Sequence, residues 1–188
     1  VKLLSRVIMD LAEGEIKQNL NRFDSGQTFS KYINKSYCKT ASLIANSTKA
    51  AGVLSNLDDE KLNSLYEFGK NIGLAFQVVD DILDFTGNDK QLGKPAVSDL
   101  ASGYLTAPVL YALEENKNLS VLINRELVEK EDLNNALNIV MNSQAIKRSR
   151  KLAEEFATIS KESILWLPNS EYKRTLLSLP EFVLSRLY

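Results

Sequence analysis

Histidine is absent from this sequence of 188 residues, and cysteine occurs only once, as Cys38. The absence of histidine excludes a serine–histidine–aspartate triad, imidazole base catalysis and histidine-based metal sites. A single cysteine excludes a disulfide within the chain and a zinc site built from several thiolates, and it is typical of a reducing compartment. Carboxylates, lysines, hydroxyls and amides are therefore the groups left for chemistry.

The sequence also lacks a long apolar run and an excess of charge of either sign. No apolar stretch approaches the roughly 20 residues of a membrane-spanning helix, and no signal-peptide pattern opens the chain. The net charge is -1 and the isoelectric point is near 5.7, so no overall positive field attracts nucleic acid or an anionic membrane. We therefore predict a soluble protein with no nucleic-acid partner and no membrane span, folded as one domain over residues 1–188.

Apolar residues recur every three or four positions along most of the chain, as in amphipathic helices, and no β-alternating run is found. This periodicity predicts an all-α helical bundle. The predicted helices are one that ends near residue 23, then Ser30 to Gly52, about 59 to Gly87, 100–113 with a kink or restart at Pro108, 121–128, 132–141, 143–167, and 170–187 with a break near Pro180.

The stretch 73–85 places three carboxylates and an amide inside an otherwise apolar run. Gln77, Asp80, Asp81 and Asp84 are related by steps of three and four, so they share one face of a helix whose other faces are apolar. Two carboxylates about 6 Å apart repel by roughly 3 kcal/mol at an effective dielectric constant near 20. Mg²⁺ with phosphate ligands would neutralise such a stripe. The competing interpretation, a solvated acidic helix end, conflicts with the apolar flanks.

Two other segments carry groups that suit a diphosphate ligand. Lys39-Thr40 lies in the predicted second helix, and Lys94 lies in the predicted loop 86–98 that directly follows the acidic stripe. A lysine supplies a point charge for phosphate oxygens, and a threonine supplies a hydroxyl dipole. Taken alone, each lysine is better explained as a solvated surface side chain, Lys39 on a helix and Lys94 in a loop.

Four ordered motifs, which span essentially the whole chain, resemble the trans-type isoprenyl diphosphate synthases. Phe76 to Asp84, followed by Gly93-Lys94-Pro95 and Asp99-Leu100, is similar to the second aspartate-rich motif of that family. Two further signatures occur upstream in the family's order, Glu13-Gly14-Glu15 with Gln18, and Tyr32-Ile33 leading to Lys39-Thr40-Ala41. The segment 100–113 and the closing residues 179–188 are most similar to the long-chain, solanesyl-type members of cyanobacteria and plastids.

The resemblance implies an isoprenoid synthase fold and a Mg²⁺-dependent prenyltransferase. The implied reaction joins isopentenyl diphosphate head to tail to an allylic diphosphate and yields a lipophilic polyprenyl diphosphate. The implied metal ligands are Asp80, Asp81 and Asp84, and the implied diphosphate-binding residues are Lys39 and Lys94. A homodimer, located in the plastid or the cytoplasm, is the further expectation.

The resemblance also implies which groups face the reacting carbons. Thr40 and Gln77 would stabilise developing positive charge with their dipoles, and Lys39 completes the catalytic set. Tyr32 and Phe76 suit the same role, but a place in the core is the stronger expectation for both. The departing diphosphate serves as the base in the family, which agrees with the absence of histidine.

One part of the family pattern is missing from the sequence. The first aspartate-rich motif, with its adjacent arginines, has no counterpart in residues 1–188, and the chain opens at Val1 within a helical pattern. We therefore predict that the sequence is the C-terminal half to three-fifths of a synthase, that N-terminal helices are missing, and that these residues alone are inactive. Two alternatives remain open, a non-catalytic regulatory or structural subunit of a prenyl synthase, and a class I terpene cyclase.

Overall fold

The computed structural model describes residues 2–87 and 97–188, and these residues form helices and connecting turns without any strand. The predicted all-α class is thereby confirmed. The helices are α1 (Lys2–Leu20), α2 (Phe29–Ser36), a π-helical segment (Tyr37–Ala41), α3 (Ser42–Leu54), α4 (Asp59–Thr86), α5 (Ser98–Ala101), α6 (Ala107–Glu115), α7 (Lys117–Asn124), α8 (Asp132–Met141), α9 (Ala145–Ser163) and α10 (Glu171–Ser185).

Helix α4 is the central element of the bundle. It begins after Asp58, whose side chain accepts a hydrogen bond from the Lys61 N–H at 3.0 Å and so caps the helix. It packs along α3 and α9 and also touches α10, α6 and the π-helical segment. Val78 and Ile82 on α4 are fully buried. The predicted helix with apolar flanks around the acidic stripe is therefore the hydrophobic centre of the structure.

The predicted second helix is continuous from Phe29 to Leu54, but its middle turn, Tyr37–Ala41, is π-helical. Thr28 caps its start by accepting the Lys31 N–H at 3.3 Å, so the helix begins at Phe29, one residue before the predicted start at Ser30. The π-helical segment lies close to α1 at Gly14. A Cβ atom on that glycine would fall 2.9 Å from the Lys39 backbone nitrogen, so the segment that carries Lys39 is fixed against α1.

Two predicted helices, 100–113 and 121–128, have different bounds in the structure. The predicted helix 100–113 is interrupted at Gly103, which has φ +80° and lies against the Phe23 ring. A new helix begins after Thr106 with Pro108 in its first turn, so the predicted restart is confirmed and the alternative, a kink at Pro108, is not seen. The predicted helix 121–128 instead spans Lys117–Asn124, because Glu126 and Leu127 have positive φ angles of 59° and 54°.

Pro180 does not break the last helix. Helix α10 runs through it from Glu171 to Ser185, with Pro180 and Val183 buried. Burial of these apolar side chains against the bundle offsets the backbone hydrogen bond that a proline cannot make. Within the described residues, no helix combines the length and the apolar character needed to cross a membrane.

Candidate active site

A cavity of about 610 Å³ lies between α4, α2 and the π-helical segment. Its described lining includes side chains of both charges. The acidic ones are Asp80, Asp81 and Asp99, and the basic ones are Lys35, Lys39 and Arg186. A cavity with both signs of charge can bind a metal cation and an anionic ligand together.

The structure brings four of the predicted site residues to this cavity, namely Lys39, Gln77, Asp80 and Asp81. Thr40 and Asp84 are absent from the described lining, and each contacts it through a neighbour. Lys94 lies outside the described residues.

Asp81 is held by hydrogen bonds to both of its carboxylate oxygens. The Tyr32 hydroxyl donates to Oδ2 at 2.6 Å, and the Gln77 amide nitrogen donates to Oδ1 at 2.9 Å. Asp81 is 1% exposed and Tyr32 is fully buried. Burial, assisted by the nearby Asp99, raises the pKa of Asp81 to about 6, although Lys35, Tyr32 and Gln77 act in the opposite direction.

Thr40 extends this hydrogen-bonded chain to the π-helical segment. Its hydroxyl donates to Gln77 Oε1 at 2.8 Å. The Gln77 amide is therefore fixed at both ends, because its oxygen accepts from Thr40 and its nitrogen donates to Asp81. Thr40 thus sets the orientation of an amide dipole in the cavity without being part of the described lining.

Asp80 is the more open carboxylate of the pair. Its side chain is 37% exposed, and its Oδ1 lies 2.7 Å from a guanidinium nitrogen of Arg186. The Arg186 guanidinium also lies over the Phe76 ring, 4.7 Å from its centroid. The C-terminal residues of the chain therefore cover the acidic side of the cavity.

Asp84 is fully buried and accepts hydrogen bonds from the first two residues of α5. The Ser98 hydroxyl donates to its Oδ1 and the Asp99 N–H donates to its Oδ2, both at 3.1 Å. The acidic stripe predicted on one helix face is thus divided, since Asp80 and Asp81 line the cavity and Asp84 lies behind it.

The basic residues of the cavity come from α2, from the π-helical segment and from the end of α10. Lys39 Nζ lies 3.0 Å from Gln18 Oε1 and 3.2 Å from Glu15. Lys35 Nζ lies 5.2 Å from the centroid of the Tyr32 ring. Burial lowers the pKa of Lys35, and the nearby Lys39 lowers it further.

Sequence reasoning assigned no role to Lys35, Asp99, Tyr104 or Arg186, all of which line the cavity. A signal existed for Lys35, because it precedes Lys39 by four residues and so shares its helix face. Arg186 reaches Asp80 only through the packing of α10 on α4, which no local pattern predicts.

The donor set suits a hard divalent cation. The cavity offers carboxylate oxygens, and its described lining contains no sulfur donor, which matches the oxygen preference of Mg²⁺ and Ca²⁺. A partly exposed carboxylate such as Asp80 can exchange its guanidinium partner for a metal ion. The residues present therefore fit the metal that the sequence predicts.

Another group of possible metal ligands lies between α1 and the π-helical segment, and none of its members is in the described cavity lining. Asp10, Glu13 and Cys38 bring one ligand atom each within 4.8 Å of one another. Both carboxylates are already neutralised, because Arg6 lies 2.8 Å from Asp10 and Lys17 lies 2.6 Å from Glu13. Burial raises the pKa of the Cys38 thiol, which disfavours the thiolate. This group is therefore interpreted as an ion-pair cluster.

Known prenyl transferases and prenyl diphosphate synthases are similar to this chain over its full length. A prenyl transferase of Synechocystis sp. is 52% identical over 188 residues, which cover 100% of this chain and 58% of the relative. The chloroplastic solanesyl diphosphate synthase 2 of Arabidopsis thaliana is 46% identical over 187 residues, 100% of this chain and 45% of that protein. The chain therefore spans about half the length of these relatives.

A solved structure shares the fold. A polyprenyl synthase from Caulobacter crescentus, complexed with calcium and isoprenyl diphosphate, superposes with a TM-score of 0.90 at 30% identity, over 100% of this chain and 58% of that one. Residues 1–140 match the polyprenyl synthetase family. On this evidence, and in agreement with the resemblance in the sequence, the chain belongs to the polyprenyl synthetase family.

Proposed function

We propose that this chain is part of a prenyltransferase that condenses isopentenyl diphosphate head to tail with an allylic diphosphate and forms a polyprenyl diphosphate. The observation that carries this proposal is one cavity in which Asp80 and Asp81 lie with Lys39 and the fixed amide of Gln77. Metal-binding oxygens, a cation for phosphate and an oriented dipole are the three things that the reaction requires.

The carboxylates would hold Mg²⁺ against the allylic diphosphate. Asp80 would be the solvent-accessible ligand, and the buried Asp81 would add negative charge to the same site. When bound, Mg²⁺ neutralises the diphosphate and so makes it a better leaving group. Lys39, with Lys35 beside it in the cavity, would bind the diphosphate oxygens, and Lys94 is proposed for the same role from the family motif.

The remaining steps concern the reacting carbons. The carbon–oxygen bond of the allylic diphosphate breaks, and the double bond of isopentenyl diphosphate attacks the resulting cation to form a carbon–carbon bond. A proton then leaves the adjacent carbon for the released diphosphate. Gln77, oriented by Thr40 and Asp81, would present a fixed dipole to the positive charge.

We further propose that residues 1–188 form a single domain that supplies one of two metal-binding sides. The first aspartate-rich motif would come from a preceding segment comparable to the part of the Synechocystis relative that this chain does not cover. A homodimer and a plastid location, the latter suggested by the chloroplastic Arabidopsis relative, complete the proposal.

A chimera tests the proposal directly. The part of the Synechocystis relative that this chain does not cover, which we predict to be N-terminal, is joined to Val1. Product formation from labelled isopentenyl diphosphate and geranylgeranyl diphosphate is then followed with Mg²⁺. We expect elongated prenyl chains from the chimera and none from the 188-residue chain alone. Asp80→Ala in the chimera should abolish elongation. The control Asp59→Ala, an exposed carboxylate in the first turn of the same helix, should retain it.

The alternatives give different results in the same assay. A cyclic hydrocarbon product would identify a terpene cyclase. An inactive but folded chimera, together with stimulation of a complete synthase by the 188-residue chain, would identify a non-catalytic subunit. Either result overturns the proposed function.

A further inference from the structure

Three successive backbone or side-chain donors converge on Asp84. The Val97 N–H donates to the Asp84 carbonyl oxygen at 2.8 Å, and Ser98 and Asp99 donate to the two carboxylate oxygens, each at 3.1 Å. Asp84 itself is fully buried. Asp84 therefore holds the turn formed by Val97 and the first two residues of α5, Ser98 and Asp99.

The turn held in this way has an unfavourable backbone conformation. Val97 has φ +61° and ψ +22°, the left-handed region, and its side chain is buried at 7% exposure. This region is costly for a β-branched residue and persists only where the surroundings hold it. The bonds from Asp84 to each of the three residues of the turn provide that restraint.

The turn determines where Asp99 lies. Asp99 lines the cavity together with Asp80 and Asp81, and its backbone nitrogen is bonded to Asp84 Oδ2. We propose that Asp84 is a positioning residue that fixes Asp99 as a cavity carboxylate, and that Asp84 itself does not bind the metal. This inference rests on the proposed function only in taking the cavity to bind a metal and a diphosphate.

Substitutions at the two aspartates separate positioning from direct binding. Asp84→Asn keeps one acceptor oxygen but presents an amide N–H₂ to a donor, so one donor loses its partner in a buried place. Asp99→Asn removes the cavity charge and leaves the backbone bond to Asp84 in place. Only Asp84→Asn should therefore lower the metal-free melting temperature, by several degrees.

Binding of Mg²⁺ with inorganic diphosphate, measured by calorimetry on the 188-residue chain and on the chimera, gives the second readout. We expect Asp99→Asn to weaken binding, and Asp84→Asn to weaken it about tenfold, as loss of a supporting residue commonly does. Because Asp84 acts through Asp99, the double variant should bind no more weakly than Asp99→Asn alone. Val97→Gly, which relieves the left-handed conformation, should restore part of the binding lost in Asp84→Asn.

The outcomes are distinct. An unchanged metal-free melting temperature for Asp84→Asn, with binding losses that add to those of Asp99→Asn, would make Asp84 a direct ligand and overturn the inference. Failure of the unsubstituted chimera to bind Mg²⁺ and diphosphate would overturn the proposed function instead, while the melting temperatures still decide whether Asp84 holds the turn. If Asp84→Asn does not fold, Ser98→Ala removes one of the same bonds more gently and should give smaller changes in the same direction.

Discussion

Gly73 lies so close to Ala41 that a Cβ atom on Gly73 would fall 2.6 Å from the Ala41 Cα. Ala41 ends the π-helical segment that carries Thr40, and Gln77 follows Gly73 by one helical turn on α4. The distance between the two backbones at this point therefore sets whether Thr40 can reach Gln77. Close packing of two helical segments and the orientation of a cavity amide depend on the same missing side chain.

Gly73→Ala should lower the free energy of unfolding. The added methyl group meets backbone atoms that cannot move aside, and overpacking of this kind costs about 1–3 kcal/mol, against a gain of up to about 1 kcal/mol in helix propensity. Urea denaturation measures the difference. Gly52→Ala is the matched control, since the nearest neighbours of its Cβ would be the ends of the Leu57, Leu62 and Leu65 side chains. Equal effects at the two glycines would contradict the argument.

The sequence predicts the helix that carries Gly73 but not the segment that packs against it. Spacing of apolar residues predicts α4, its burial and its acidic stripe, because these depend on one helix only. The π-helical turn at Tyr37–Ala41 has no sequence signature, since its side chains follow nearly the same periodicity as those of an α-helix. The interruption at Gly103 depends on contact with Phe23, and the cover over Asp80 depends on Arg186. Local sequence patterns do not predict contacts between residues that are far apart in the sequence.

Asp81→Asn should stabilise the metal-free protein at alkaline pH. The pKa of Asp81 is raised from 3.8 to about 6, so the folded state binds the extra proton and its stability falls as pH rises through this window. Above about pH 7 the buried charge costs about 3 kcal/mol at most. The asparagine side chain introduced by the substitution carries no charge. Its oxygen can accept a hydrogen bond from the Gln77 amide, and its nitrogen can donate one to the Tyr32 hydroxyl oxygen.

Thermal unfolding of both proteins between pH 4 and 8, with a chelator present, measures the effect. The melting temperature of Asp81→Asn should exceed that of the unsubstituted chain at pH 8, and the difference should shrink towards pH 4. The same substitution should weaken binding of Mg²⁺ with diphosphate. A difference that grows towards low pH would show that the Asp81 pKa is lowered by folding, contrary to the structure.

Arg186→Gln should increase the affinity of the cavity for a metal in the absence of diphosphate. The guanidinium lies 2.7 Å from Asp80 Oδ1 and competes with a cation for that carboxylate. An opposing charge at about 4 Å changes the interaction by about 1 kcal/mol in a water-like dielectric, which corresponds to roughly fivefold in affinity. The affinity is measured from Mn²⁺ binding, followed by electron paramagnetic resonance at low ionic strength.

Arg148→Gln is the matched control for this prediction. Arg148 also pairs with a carboxylate, Glu114 at 2.6 Å, and also lies over an aromatic ring, that of Tyr111 at 4.0 Å. It is absent from the described cavity lining. Both substitutions should therefore lower stability by a similar amount, about 1 kcal/mol or less, and only Arg186→Gln should change the Mn²⁺ affinity. A parallel change in both variants would indicate a general charge effect.

Thr40→Val should reduce the rate of condensation in the chimera more than it reduces substrate binding. Valine keeps the shape of threonine but cannot donate to Gln77 Oε1, so the amide loses one of its two fixed ends. Loss of one oriented donor at a developing charge lowers kcat by about a hundredfold to a thousandfold, and we expect a smaller loss here because Asp81 still holds the amide. Thr40→Ser, which retains the hydroxyl, should keep most of the activity. If valine and serine are equally active, Thr40 acts through packing alone and the orientation of Gln77 must come from Asp81.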